Sequence, residues 1–159
     1  MRGNIPRPQY ALSKMKALEI IRSSDYGVLA TVNIAGEPST VALNHVLINN
    51  ETLVFHCGPK GETIKNIKQN PNVSFFIVGS TKIVPKNFTN VYTSAVAHGT
   101  ANIIENDDDE KQKYLRIIAD RFIGNTASTD AKNEHIEKAL DRISIIKMSI
   151  KYLTGKAYP

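Results

Sequence analysis

Residues 53–75 read L-V-F-H-C-G-P-K-G-E-T-I-K-N-I-K-Q-N-P-N-V-S-F. An apolar strand ends at His56 and Cys57, and a Gly/Pro turn follows at Gly58, Pro59 and Gly61. A short helical pattern carried by Ile64 and Ile67 then stops at Asn70-Pro71, and a new strand starts at Val73. A helix that begins directly after a strand presents backbone N–H groups without partners, and its dipole favours an anion there. Lys60 and Lys65 flank that end. On local pattern alone, a surface corner with solvated lysines accounts for these residues slightly better than an anion site does. The rest of the chain has to decide.

Upstream, the pattern predicts strands over residues 26–33 and 39–48, separated by the turn Ile34-Ala35-Gly36-Glu37-Pro38. Asn49-Asn50 makes a second tight turn before a strand over residues 52–56. Loops this short permit only antiparallel pairing, so the three strands read as a meander. Before them, Ser13 is an N-cap candidate for a helix whose stripe is Met15, Ala17, Leu18 and Ile21. The first twelve residues read as an extended arm, mobile or packed on a neighbour.

Downstream of a helix at about residues 62–69 comes a strand over residues 73–78, then an unassigned stretch over residues 79–87. Residues 91–104 form one long strand in which Gly99 marks a bulge or bend. Residues 106–142 read as a helical insertion. Asn106 to Asp109 cap a helix reaching Phe122 with Tyr114, Leu115, Ile118, Ala119 and Phe122 inward. A more polar surface helix over residues 130–142 follows. The last strand spans residues 143–150, with Ile143, Ile145 and Ile150 as its apolar members, before the tail to Pro159. About six strands with peripheral helices predict a mainly β fold, a small antiparallel barrel, because a doubly wound sheet needs a helix between nearly every strand pair.

The chain of 159 residues, 42% hydrophobic and 22% charged, fits one domain over residues 1–159. Its single cysteine, Cys57, excludes an intrachain disulfide and favours a reducing, cytoplasmic setting. No apolar run approaches membrane-spanning length, so no membrane partner is expected. The net charge of +5 comes from scattered lysines interrupted by an acidic run over residues 105–110, with no Arg-rich helix, so nucleic acid ranks low as a partner.

Four histidines far apart in sequence give no metal spacing, and no metal site is expected. His56 and Cys57 point to opposite faces of a strand, so they cannot work as base and thiolate, and a buried, inert Cys57 is the simpler reading. Phosphate-loop and dinucleotide fingerprints are absent. His56, ending a strand beside the anion-friendly corner, serves equally as a proton donor to a ligand or as a backbone-satisfied strand end.

The order of these pieces resembles the split-barrel flavoproteins of pyridoxamine 5'-phosphate oxidase, and within them the nitroimidazole-resistance branch. The resemblance rests on Tyr26-Gly27-Val28-Leu29-Ala30-Thr31 with Gly36-Glu37-Pro38, on Val41-Ala42-Leu43-Asn44-His45-Val46, and on Leu53-Val54-Phe55-His56-Cys57 with Gly61 and Asn70-Pro71-Asn72-Val73-Ser74-Phe75. Tyr92-Thr93-Ser94-Ala95-Val96 with Gly99-Thr100-Ala101, and Leu153-Thr154-Gly155-Lys156, complete it.

The resemblance implies an FMN-binding split barrel, a homodimer with the flavin at the subunit interface, acting as an oxidoreductase on small molecules such as nitroaromatic 5-nitroimidazoles. It places Val41, Ala42, Leu43 and Asn44 along the flavin ring and His56 and Cys57 beside ring and ribityl chain. Lys60, Gly61, Thr63 and Lys65 fall toward the phosphate, and Ser94 reaches in from the long strand. His56 is the implied catalytic residue, orienting or protonating substrate. Where the branch usually carries Gly-His-Lys, this chain has Gly61-Glu62-Thr63, and a carboxylate beside a phosphate is repulsive unless paired. That departure keeps an alternative in view: a non-enzymatic carrier or sensor of FMN or another planar anionic ligand.

Overall fold

Alternate side chains of a strand face opposite sides, and β2 (Tyr26–Val32) buries Gly27, Leu29 and Thr31 while leaving the residues between them more open. The same alternation in β3 (Pro38–Asn44) turns Ser39, Val41 and Leu43 inward and leaves Thr40, Ala42 and Asn44 exposed. The computed structural model from which this is read describes residue 5 and residues 7–159.

One antiparallel sheet carries the fold, in the order β3-β2-β6-β7-β8-β5-β4, with β5 at Thr52–Cys57, β6 at Asn72–Val84, β7 at Thr89–Ile104, β8 at Ser144–Tyr158 and the short β4 at Val46–Ile48. The two-residue β1 (Ala11–Leu12) continues the β5 side of β8 by pairing with Lys156 and Gly155. Six strands are longer than three residues, and they curl into a half-barrel whose inside is filled by Leu29, Phe55, Phe75, Ile77, Ala97, Ile146 and Met148.

The first correction to the sequence reading is at residues 39–48. They form two strands, β3 and β4, which break at His45 and lie at opposite ends of the strand order, so the expected meander is split. His45 is 2% exposed and edge-on to Phe75 at 4.9 Å, so the chain turns its ring into the core where a continuous strand would have carried it past. The second is at the C-terminus. The strand expected to stop at residue 150 runs on to Tyr158, and its irregular apolar pattern has a cause: Ile146 and Met148 face the barrel interior while Ile145 faces the helices outside.

Gly99 does mark a bulge, where the ladder with β8 shifts so that Lys151 is unpaired between Tyr152↔His98 and Ile150↔Gly99. A Cβ at Gly99 would stand 1.9 Å from the Ser149 carbonyl oxygen. The unassigned stretch over residues 79–87 extends β6 and rounds a hairpin into β7, with Phe88 in a left-handed conformation at its tip.

Helices close the barrel. In α1 (Lys14–Ser23) the Ser13 hydroxyl accepts from the Lys16 N–H, and Ala17, Leu18 and Ile21 are buried, whereas Met15, expected on that stripe, is 61% exposed. Of the N-terminal arm, residues 1–4 and 6 lie outside the described residues, and the rest folds back onto its own chain through β1. Helix α2 (Glu62–Gln69) inserts Ile64 and Ile67 into the barrel core. Helices α3 (Asp108–Phe122) and α4 (Thr129–Ala139) pack outside the β5–β8 wall, where Tyr114, Leu115, Ile118 and Ile136 meet Val54, Ile104 and Ile145. Phe122 stays 37% exposed. Among the described residues no helix is long and apolar enough to cross a membrane.

Candidate functional site

The site forms where β5 ends. Asn44, at the end of β3, and His56, near the end of β5, line one cavity of about 380 Å³ with Leu115, Ile118, His135 and Ile136 from the outer helices. β3 packs against both β5 and α2, and on the side away from β2 it has no ladder partner among the described residues. Backbone N–H and C=O groups of alternate residues between Val41 and Asn44, those not spent on the β2 ladder, therefore stand on an open strand edge near His56, Cys57 and the turn into α2, available for in-plane hydrogen bonds.

Helix α2 starts without a side-chain cap, because Gly61 sits at its N-cap. Gly61 has φ 151° and ψ 172°, a conformation nearly confined to glycine. The first helical bond is Lys65 N–H to the Gly61 oxygen at 3.2 Å, and among the described residues the N–H groups of Glu62, Thr63 and Ile64 have no acceptor. Lys60 and Lys65 are exposed, and neither forms an ion pair among the described residues. Thr63 is half-buried and Glu62 exposed. Three free donors, two free ammonium groups and one carboxylate make a net cationic corner that suits a phosphate monoester, with Glu62 as the opposing charge.

His56 and Cys57 part to opposite faces, as their adjacency requires. Cys57 packs against the barrel core, with its Sγ 3.8 Å from the Ser144 carbonyl oxygen. Burial, helped by the Glu105 charge, pushes the thiol up to about 11. His56 turns toward α3 and α4, where burial lowers its pKa and favours the neutral ring, and its Nδ1 is sealed from solvent with no partner among the described residues. Ser94 lies elsewhere. It pairs with Val78 and Lys156, ten residues along β7 from Ile104, which is level with His56 through Ile145, and so roughly 33 Å away along the strand at its usual rise. One chain therefore gathers residues 41–44, 56–57 and 60–65, and leaves Ser94 on the outer sheet face next to Val96.

Sequence reasoning passed over several residues. Asn66, 2% exposed on α2, donates from Nδ2 to the Thr31 hydroxyl at 3.0 Å and locks the helix to β2. Its signal was a polar residue within the apolar stripe of Ile64 and Ile67. The cavity wall from α3 and α4 had no local signal, since contact between those helices and His56 is set only by the tertiary fold. Among the described residues no three metal-ligating side chains converge.

The family model of pyridoxamine 5'-phosphate oxidase matches residues 13–156. No curated protein matches the sequence significantly. Among solved structures, a candidate 5-nitroimidazole antibiotic resistance protein from Bacteroides thetaiotaomicron is similar at 24% identity and a TM-score of 0.73, covering 92% of this chain and 86% of that one. A conserved hypothetical protein from Mycobacterium tuberculosis has a TM-score of 0.79 at 17% identity, covering 97% and 90%. The flavocytochrome Anf3 from Azotobacter vinelandii has 0.75 at 15%, covering 99% and 74%. At these identities the likeness to solved structures is one of fold, whereas the family model spans both the barrel and the α2 corner. The chain belongs to the pyridoxamine 5'-phosphate oxidase family of flavin-binding split barrels.

Proposed function

We propose that this protein is an FMN-dependent oxidoreductase that passes electrons to a small acceptor, with nitroaromatic compounds such as 5-nitroimidazoles as the first class to try. The observation that carries the reading is the uncapped start of α2, which offers three free N–H groups between Lys60 and Lys65 next to the open edge of β3. Lys60, Gly61, Thr63 and Lys65 would hold the phosphate, and the β3 edge from Val41 to Asn44 would meet the ring's polar rim, with Cys57 packed behind it. Bound FMN would supply hydride or single-electron transfer. His56, neutral and beside the ring position, would orient the acceptor and hold the proton it needs.

A homodimer is part of this reading. The outer face of the sheet sets Ala42, Val28, Phe76, Val96 and Thr154 in one row across five strands, with Phe76 42% exposed. Contiguous apolar surface of this kind favours a protein partner. A second copy laid on that face would also bring its Ser94 toward the flavin. The free Cys57 supports a cytoplasmic setting.

The test is a visible spectrum with and without added FMN, on a sample whose mass is measured by size exclusion. Flavin bands eluting with a dimer support the reading; a colourless protein that leaves FMN unbound overturns it. Glu62 favours a second reading, a carrier or sensor that binds FMN or another planar anion without turnover. Flavin that binds but is not reoxidised by any nitroaromatic acceptor, together with a sharp gain in affinity on Glu62→His with Thr63→Lys, would select it.

A further inference from the structure

The cavity shared by Asn44 and His56 has a chemistry unlike that of the α2 corner. At about 380 Å³ it falls within the range of small-molecule pockets, ~300–1,000 Å³. Among the described residues, no Lys, Arg, Asp or Glu lines it. Its walls are aliphatic and aromatic side chains of α3 and α4 with Ile123 and Ile143 beyond their ends, and its polar groups are Asn44, His56 and His135. Phe122 and Ile123, each 37% exposed, leave apolar surface uncovered at its rim. A phosphate or carboxylate would lose its hydration there with no cation to replace it, and an ammonium would find no anion.

The polar end has a direction. His56 Nδ1 is buried without a partner, and an orphaned N–H costs more than an unused acceptor, so the proton of the neutral ring belongs on Nε2. His56 then offers a donor through Nε2, and Asn44 and His135 can supply the complementary group.

We infer that this cavity binds an uncharged, largely apolar ring compound carrying a hydrogen-bond acceptor, held between the α3–α4 helices and His56. Such a molecule's role as the flavin's electron acceptor rests on the function proposed above; its binding does not.

Benzimidazole, neutral at the working pH, is the probe. Titrated into the full chain without flavin and followed by amide NMR, it should shift His56, His135 and their neighbours on α3 and α4 in a saturable way. Its carboxylated analogue should bind at least about tenfold more weakly, for want of a cation. Ala139→Phe, which fills the cavity from α4, should weaken benzimidazole by about tenfold or more while leaving the distant β6–β7 amides in place. If that variant does not fold, Ala119→Phe fills the same space from α3. Absence of saturable shifts at millimolar probe, or equal affinity in a folded filled variant, overturns the inference, as does a carboxylate that binds as well as the neutral compound. FMN titrated into the same samples separates the two readings. Benzimidazole binding with no flavin binding removes the flavin and keeps the cavity, and the reverse removes the cavity alone.

Discussion

His45 Nε2 donates to the carbonyl oxygen of Ile21 across 2.7 Å, joining the break between β3 and β4 to the last turns of α1. Burial lowers the His45 pKa despite this bond, and burial lowers that of His56 as well. Both folded values lie below the ordinary 6.5, so the charged forms are disfavoured in the native state. The stability they contribute is complete above about pH 6.5 and is lost as pH falls through their folded values. Urea midpoints measured across that range should decline on acidification, and less steeply in His45→Gln. His45→Leu, which leaves the Ile21 oxygen unpaired, should cost about 1–3 kcal/mol at neutral pH.

Gly61→Ala should act on the phosphate corner more than on the core. Nothing lies within 4 Å of a Cβ added there, so the penalty is conformational, about 1–3 kcal/mol, and the helix start must rearrange to relieve it. FMN affinity should drop by at least about tenfold, while barrel-core amides keep their protection from exchange.

Cys57, with its thiol held up at about 11, should react far more slowly with a thiol reagent in the native protein than in the urea-unfolded chain at neutral pH. Cys57→Ala should retain flavin binding. Comparable thiol rates in the two states would mean that the β5 end opens readily.

Phe76→Glu should convert a dimer to a monomer without unfolding it, since the side chain is on the outer sheet face and makes no part of the core cluster. Mass by light scattering and a thermal midpoint on the same sample check the two halves of this expectation. A dimer that persists would place its interface on another face.

Most of the fold was legible where a strand has one covered face and one open one, as in β2, because burial then writes an alternation into the residues. It was illegible at β8, whose first half is covered by the barrel core on one side and by α3 on the other, and whose second half mixes exposed Lys151 and Tyr152, half-buried residues and a buried Gly155 without alternation. The break at His45 left no mark either: residues 39–48 satisfy one strand's chemistry as well as two, and only the position of Phe75 and Ile21 shows why the ring turns inward. The α2 corner could be read because it is local, built from a turn, a glycine and the first turn of one helix. The cavity beside His56 could not, because Ile118 and Ile136 reach it from helices fifty and more residues downstream.

The two rims of the curled sheet are joined by a single residue. Consecutive Cα atoms are about 3.8 Å apart, so β3 and β4 cannot separate at His45 by more than about two such steps. The link at His45 therefore acts as a pivot: it pins the two rims together at one point, next to the Asn44 end of the open β3 edge, and any widening of that edge has to grow with distance from His45 toward Pro38.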